Sequence, residues 1–329
     1  MNKLPFEKEL GILIRKEQET DPGFGKRPEE RTIEENLDFG IINLNKPQGP
    51  TSHQISDYVK RILKVKRAGH SGTLDPNVTG VLPTALNRGT RILKLLLTSG
   101  KEYVCWMHLH KEVKQDKIKR VMKKFVGKII QKPPVRSAVK RVERERMIYY
   151  LEILEINDKD VLFRVGCEAG TYIRTLCFGI GKELGVGAHM QQLVRTKVAR
   201  FNDSNWTSLH DLKDAYEFYK EGDDKEIKKI ILPIEKAVEH LPKIWIFDSC
   251  VESLCHGADL NLPGISKLNE GIENGDVVGA MTLKNELVCV GKSEMSSKEI
   301  IKKKKGAVIK EKKVFMLANT YPTTSKDSL

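Results

Sequence analysis

Nowhere in its 329 residues does the chain carry an apolar run approaching the roughly 18 that a membrane-spanning helix requires, and its first residues, MNKLPFEKEL, lack the apolar core of a signal peptide. A soluble, cytoplasmic protein is expected. No Cys-x-x-Cys pair occurs among Cys105, Cys167, Cys177, Cys250, Cys255 and Cys289, which argues against a zinc site, and the six read as small buried hydrophobes in a reducing compartment. Cys250, Cys255 and His256 come nearest to a cluster, but no second pair completes a ligand set. A nucleotide-binding glycine loop is missing as well. Acidic residues fall short of basic ones, 44 against 57, and the resulting net charge of +13 favours a polyanionic partner, nucleic acid first.

What is present is ordered along the chain. Residues 1–38 are rich in charge and include Asp21-Pro22-Gly23 and Gly25, the composition of an arm without its own core. From Phe39 an apolar strand, Gly40 to Leu44, leads through Asn45–Pro50 to Thr51, which forms a capping box with Gln54. Ile55, Tyr58, Val59, Ile62 and Leu63 then recur at helical spacing. The next run, His70 to Thr90, holds one carboxylate, Asp75, among Gly, Ser, Thr and Pro. Pro76 restrains Asp75 to extended conformations, while Gly72 and Gly80 admit close approach of another backbone or a ligand. A rigid loop presenting one carboxylate suits a reactive site. It equally suits a structural turn, and spacing alone does not choose. Lys66, Arg67 and His70 bring positive charge to this loop, either for a phosphate or as a solvated basic face.

Arg91 to Leu97 reads as a short apolar helix. Lys101 to His110 alternates like a strand, with Tyr103, Cys105, Met107 and Leu109 on one face, where a tyrosine is by pattern a core residue. Asp116 to Gly127 has the spacing of an amphipathic helix. A basic loop stiffened by Pro133 and Pro134 follows, and its Lys132, Arg136, Lys140 and Arg141 could close over RNA or form a solvated connection. Tyr149–Ile156 and Val161–Cys167 suggest a hairpin that delivers the chain to Glu168–Arg174. A guanidinium such as that of Arg174, if it came within about 4 Å of Asp75, would keep the carboxylate ionised and hold its rotamer. Ser208 with Asp211 opens a helix to about Lys220, and a second, Glu226 to His240, is broken at Pro233. Beyond Leu241-Pro242, Ser249 and Glu252 form a capping box, Gly257 ends that short helix, and strands alternate between glycines up to Tyr321-Pro322.

The wording of these motifs carries more than their spacing. Gly72-Thr73-Leu74-Asp75-Pro76 followed by Thr79-Gly80-Val81-Leu82-Pro83 closely resembles the central signature of the TruB family of pseudouridine synthases. Leu44-Asn45-Lys46-Pro47 with Gly49, Thr51, Ser52 and His53 matches the family's first motif, and Lys101–Val104, Gly170–Arg174 and Gln192–Arg195 match later ones, in order. His256-Gly257-Ala258, Pro263-Gly264-Ile265 and Gly275-Asp276-Val277 resemble a PUA domain, an RNA-binding module. The order of motifs is most similar to the dyskerin branch in its archaeal form, the catalytic subunit of box H/ACA ribonucleoproteins.

This resemblance implies an α+β fold. A pseudouridine synthase domain with an extended antiparallel sheet and a central cleft is expected over residues 39–242, a PUA β-barrel over 243–322, an arm over 1–38 packing on the PUA domain, and a tail over 323–329. The implied reaction converts uridine in RNA to pseudouridine without a cofactor. Asp75 would be the nucleophile or the stabiliser of a cationic sugar, and Arg174 would orient it. Tyr103 would stack on the flipped base and assist proton removal from C5, Tyr172 and Leu193 would complete the pocket, His70 and Lys46 would contact the substrate, and Gly257 would meet RNA in the PUA domain. Implied partners are a guide RNA, the substrate RNA, two small H/ACA core proteins and a kink-turn-binding protein. A stand-alone synthase for the tRNA T-loop would share every Asp75 motif, and a non-catalytic RNA scaffold is the alternative outside enzymology. One departure stands out: where the family continues with Asp-Leu-Gly, this chain has Gly179-Ile180-Gly181, and Gly179 lowers helix propensity by up to about 1 kcal/mol relative to Ala.

Overall fold

The computed structural model describes residues 3–133, 140 and 142–322; Arg136 and Arg141 of the basic loop lie outside the described residues. The architecture is α+β, in two compact units. One contains residues 3–8 with 37–232, the other 9–36 with 233–322.

The first unit is built on a ten-stranded sheet. Along its path lie Ile231–Pro233, Gly40–Lys46, Thr79–Leu86, Ala188–Val198, Lys101–Leu109, Asp160–Cys167, Arg144–Asn157 and Gly127–Gln131, with Ala68–His70 and Phe201–Asn202 attached at the side. Lys101–Leu109 pairs antiparallel with both neighbours, whereas Thr79–Leu86 runs parallel to Ala188–Val198. The alternation in Lys101–Leu109 decides where the core lies. Tyr103, Cys105, Met107 and Leu109 are buried with Ile118, Val121 and Met122 of helix Gln115–Lys123 and with Ile173, Leu176, Cys177, Ile180 and Leu184 of helix Ile173–Leu184. Each such aliphatic side chain contributes about 1.5–3 kcal/mol on leaving water.

Helix Ile173–Leu184 runs unbroken through Gly179. A Cβ at Gly179 would stand 3.3 Å from the Phe125 ring, and one at Gly181 would stand 2.2 Å from the Ala188 nitrogen. These glycines let the helix lie directly on its neighbours, so packing offsets the lost propensity. Elsewhere the expected helices shorten. The one expected to reach Gly127 ends at Lys123, and Gly127 opens a strand. The helix expected over Glu226 to His240 is confined to Lys225–Ile230. Extended residues Ile231–Pro233 and a 3-10 turn, Ile234–Val238, follow, because Pro233 disfavours helical backbone in the residue before it.

The second unit has a seven-stranded sheet in the order Ile12–Ile14, Ile265–Asn269, Lys243–Ile246, Val277–Thr282, Leu287–Ser293, Ala307–Val314, Leu260–Asn261. The N-terminal stretch therefore divides. Ile12–Ile14 adds an antiparallel edge strand to Ile265–Asn269, and Arg15 donates to the carbonyls of Leu262, Ile300 and Lys303. Leu4 is instead buried in the first unit, where Glu7 meets Lys197 at 2.8 Å. The Ser249–Glu252 capping box does not form. Helix Asp248–Cys255 starts two residues earlier, after Phe247, which places Ser249 inside the first turn, and the Glu252 carboxylate accepts from the Asn319 N–H and pairs with His256. Among the described residues no helix is long and apolar enough to cross a membrane.

Candidate active site

Strands Gly40–Lys46 and Thr79–Leu86 pair in a register that sets Lys46 opposite Gly80, so the loops that follow the first and precede the second meet at one end of the sheet. The Asp75 loop is fastened there at several points. Ser52, the first residue of helix Ser52–Ile62, accepts from the Leu74 N–H at 2.9 Å and donates to the Leu74 carbonyl at 3.2 Å. Gly49 N–H donates to the Pro76 carbonyl at 2.9 Å, and Val78 N–H to the Asp75 carbonyl at 3.0 Å.

Lys46 lies beneath this loop, fully buried, and its ammonium donates to the carbonyls of Pro47 (2.9 Å), Pro76 (3.0 Å) and Val78 (2.9 Å). Its three donors are thus spent on backbone. Burial, and then the Arg195 charge, lower its pKa, while Asp75 acts in the opposite direction. The expectation that Lys46 contacts substrate gives way to a different placement: it shapes the loop that carries Asp75.

Arg195 was absent from the expected set of site side chains, yet it is almost wholly buried under the same loop. Its Nε donates to the Val81 carbonyl at 2.8 Å and its Nη2 to the Gly72 carbonyl at 3.2 Å, and its charge acts on the Tyr103 hydroxyl. A signal for it exists in the sequence: two residues after the buried Leu193 on one strand, it falls on the same inward face. Gly80 is what lets the strand close over it, because a Cβ there would stand 2.2 Å from the Arg195 carbonyl oxygen and the backbone has φ +113°. Lys101 is a third buried cation, donating to the carbonyls of Leu96 (3.3 Å), Leu97 (3.1 Å) and Ser99 (2.7 Å); burial, then Arg195, pull its pKa down to about 7.

Above these cations stands the ion pair. Arg174, in the first turn of helix Ile173–Leu184, donates Nη2 to Asp75 Oδ2 at 2.5 Å across 99 residues of sequence, with the two side chains 54% and 57% exposed. Tyr172, half-buried, caps that helix, and the Gln131 side chain grips its main chain, accepting from the N–H at 2.9 Å and donating to the carbonyl at 3.1 Å. Tyr103 is buried, and burial pushes its hydroxyl pKa up against the opposing pull of Arg195. Leu193 shares one apolar cluster with Tyr103, Leu74 and Val78.

His70 ends strand Ala68–His70, its ring edge-on to His53 at 4.9 Å, its Nδ1 accepting from the Gly72 N–H at 3.3 Å. Burial, then His53 and Arg195, pull its pKa down to about 4, so it is neutral near pH 7 and adds no positive charge to the loop. Lys132 and Lys140 are exposed on either side of residues 134–139. Gly257 belongs to the second unit, where it follows helix Asp248–Cys255 and its carbonyl accepts from Lys312 Nζ at 3.1 Å. Among the described residues no group of His, Cys, Asp and Glu has the arrangement of a metal site.

Sequence families and solved structures bear on this geometry. Residues 60–173 match the N-terminal domain of TruB family pseudouridylate synthases, 174–239 the tRNA pseudouridylate synthase B C-terminal domain, 242–315 the PUA domain, and 2–56 the DKCLD domain. A probable tRNA pseudouridine synthase B of Pyrococcus abyssi is 55% identical over 97% of this chain and 96% of its own length. One of Methanopyrus kandleri is 50% identical over 97% and 95%. Among solved structures, a chain of a Cbf5–Nop10–Gar1 complex superimposes with TM-score 0.94 at 54% identity, covering 98% of this chain and 99% of that one. A chain of an H/ACA ribonucleoprotein bound to substrate RNA containing 2′-deoxyuridine gives 0.91 at 53% identity, covering 97% and 99%.

Proposed function

The chain belongs to the TruB family of pseudouridine synthases, and we propose that it isomerises chosen uridines of RNA as the catalytic subunit of a guide-RNA-directed ribonucleoprotein. The observation that carries the reading is the Asp75–Arg174 pair, exposed on a loop tied down by Lys46 and Arg195 and next to the apolar surface of Tyr103 and Leu193.

In the reaction the C1′–N1 glycosidic bond of uridine breaks, the uracil turns, and C1′ bonds to C5. The proton on C5 leaves and N1 ends protonated, so the product is an isomer of the substrate. Asp75 presents the anion for this, either by covalent attack or by facing the positive charge that develops as the glycosidic bond breaks. Arg174 takes one carboxylate oxygen and fixes the rotamer, leaving the other oxygen for the substrate. The uracil must leave its stack to arrive, at a cost of a few kcal/mol that is least in an unpaired segment. Tyr103 and Leu193 offer it an apolar bed, and Tyr172 stands at the start of the helix that aims Arg174. The raised hydroxyl pKa of Tyr103 suits a stacking face better than a proton acceptor. Neutral His70 suits a hydrogen bond to the flipped nucleotide rather than an ion pair.

Guidance is favoured by the likeness, over nearly the whole chain, to solved H/ACA ribonucleoprotein subunits, one of them assembled with Nop10 and Gar1. On this reading the PUA unit, with Gly257, and the basic residues Lys132 and Lys140 hold guide RNA, base pairing selects the uridine, and two small core proteins with a kink-turn binder complete the particle. Six free cysteines fit a reducing compartment, the cytoplasm. The naming of its relatives as tRNA pseudouridine synthases favours a second reading, a synthase acting on tRNA without a guide. The test is pseudouridine formation by the purified chain on a guide-paired target and on a tRNA, each with and without guide and core proteins, with Asp75→Ala as control. Product that requires the guide and disappears in the variant is expected; product on tRNA alone would establish the second reading.

A further inference from the structure

Beside Tyr172 lies a second group of charges that the Asp75 chemistry leaves unused. Arg144 and Arg146 begin strand Arg144–Asn157 and pair with Gln131 and Ile129, so they share one face of the hairpin, and with Gln131, Pro133, Gly170 and Tyr172 they line a small cavity. The Arg146 Nε is buried and meets no hydrogen-bond acceptor. The rest of that guanidinium is only partly engaged: Nη1 donates to the Glu145 carbonyl at 2.8 Å and stands 3.8 Å from the Glu168 carboxylate, whose other oxygen accepts from the Met147 N–H at 3.0 Å. Two guanidinium groups against one carboxylate leave the cavity with a net positive charge.

The backbone below is bare where the guanidinium lies. Gly170 has φ +79°, and a Cβ there would stand 3.1 Å from Arg146 Nη2, so a side chain at this position would push the arginine away. A buried charged N–H without an acceptor carries a desolvation penalty that an incoming oxygen would remove. The fork of an arginine matches the oxygens of a phosphate. Gly170 and Tyr172, which line the cavity, belong to the segment that ends at Arg174, the partner of Asp75.

We infer that Arg146, with Arg144 beside it, binds one phosphodiester of the RNA strand that carries the target uridine, and thereby sets that strand's register against Asp75. The inference rests on the reading of the chain as an RNA pseudouridine synthase, and binding measurements separate the two. Substrate RNAs carrying a neutral methylphosphonate at each phosphate around the uridine, one at a time, are titrated as guide-paired complexes against wild-type protein and Arg146→Met in the assembled particle. At one position the modification weakens wild-type binding by about tenfold and leaves Arg146→Met unaffected, because the contact is already gone. The slope of log affinity against log salt falls by about 0.7 in the variant, the share of one phosphate on single-stranded RNA. Should Arg146→Met fail to fold, Arg146→Lys keeps a charge without the Nε donor, and a smaller but position-specific loss at the same phosphate is expected. Equal losses in both proteins at every position, or an unchanged salt slope, would overturn the inference. Wild-type turnover of unmodified RNA, run in parallel, reports separately on the functional reading.

Discussion

Two arginine–carboxylate pairs, one in each unit, set structure apart from chemistry in this molecule. In the second unit Arg31 grips Glu235 with both arms of its fork, at 2.9 and 2.8 Å, the side chains each 11% exposed, and the same carboxylate also accepts from the Leu287 N–H at 2.9 Å. In the first unit Arg174 touches one oxygen of Asp75, and more than half of each side chain faces solvent. The buried pair has satisfied its carboxylate from within and ties Arg31 of the N-terminal stretch and the turn Ile234–Val238 to the start of strand Leu287–Ser293. The exposed pair leaves an oxygen open to solvent or to a substrate. An exposed pair of this kind contributes at most about 1 kcal/mol to stability, so its value lies in aim rather than in holding the fold.

Breaking the buried pair gives the largest effect on stability. Arg31→Met strands a buried carboxylate, and a loss of about 3–5 kcal/mol is expected in chemical denaturation, read in the second unit, while the Asp75 site in the other unit keeps its geometry. A loss below about 1 kcal/mol would erase the contrast between the pairs.

The cations beneath the exposed pair sharpen the comparison. Lys46→Met leaves the carbonyls of Pro47, Pro76 and Val78 without their donor, for an expected cost of about 1–3 kcal/mol, and because two of those carbonyls belong to the Asp75 loop, kcat falls more than KM rises. Stability loss with unchanged kcat would show that Lys46 fastens the sheet without aiming Asp75.

A further effect is in pH. His70 has a folded pKa of about 4 against an ordinary value of 6.5, so the unfolded chain takes up a proton first as pH falls, and the contribution of the neutral ring is present above about 6.5 and is lost progressively down to about 4. The difference in unfolding free energy between wild type and His70→Gln therefore shrinks across that window; a constant difference would remove the neutral, half-buried ring from the account.

Much of this site is legible in the sequence because local rules and motif wording agree there. Thr51 accepts from Gln54 N–H at 3.2 Å as the capping box requires, and the alternation that buries Tyr103 is written in Lys101–Leu109. Asp75 and Arg174, 99 residues apart, were paired on motif resemblance and do meet. What escaped were cations satisfied by backbone. A lysine or arginine beside a reactive motif invites a substrate role, but Lys46 and Arg195 turn inward to carbonyl oxygens, which leave no mark in a sequence as a partner carboxylate would. Ser249 failed for a different reason: Ser-x-x-Glu fits a capping box in spacing, but Phe247 is where the chain turns into the helix, and Glu252 is drawn to Asn319 and His256. The division of the N-terminal stretch was hidden as well, since Leu4 and Ile12–Ile14 sit among charges that mask their separate burial and pairing.

The most direct test of the account is Asp75→Asn, assayed on one preparation for pseudouridine formation in the guide-paired complex and for its unfolding free energy. Product falling to background with stability within about 1 kcal/mol of wild type is the predicted result. Product that persists, or a fold that collapses with the substitution, would contradict the assignment of the exposed pair to chemistry.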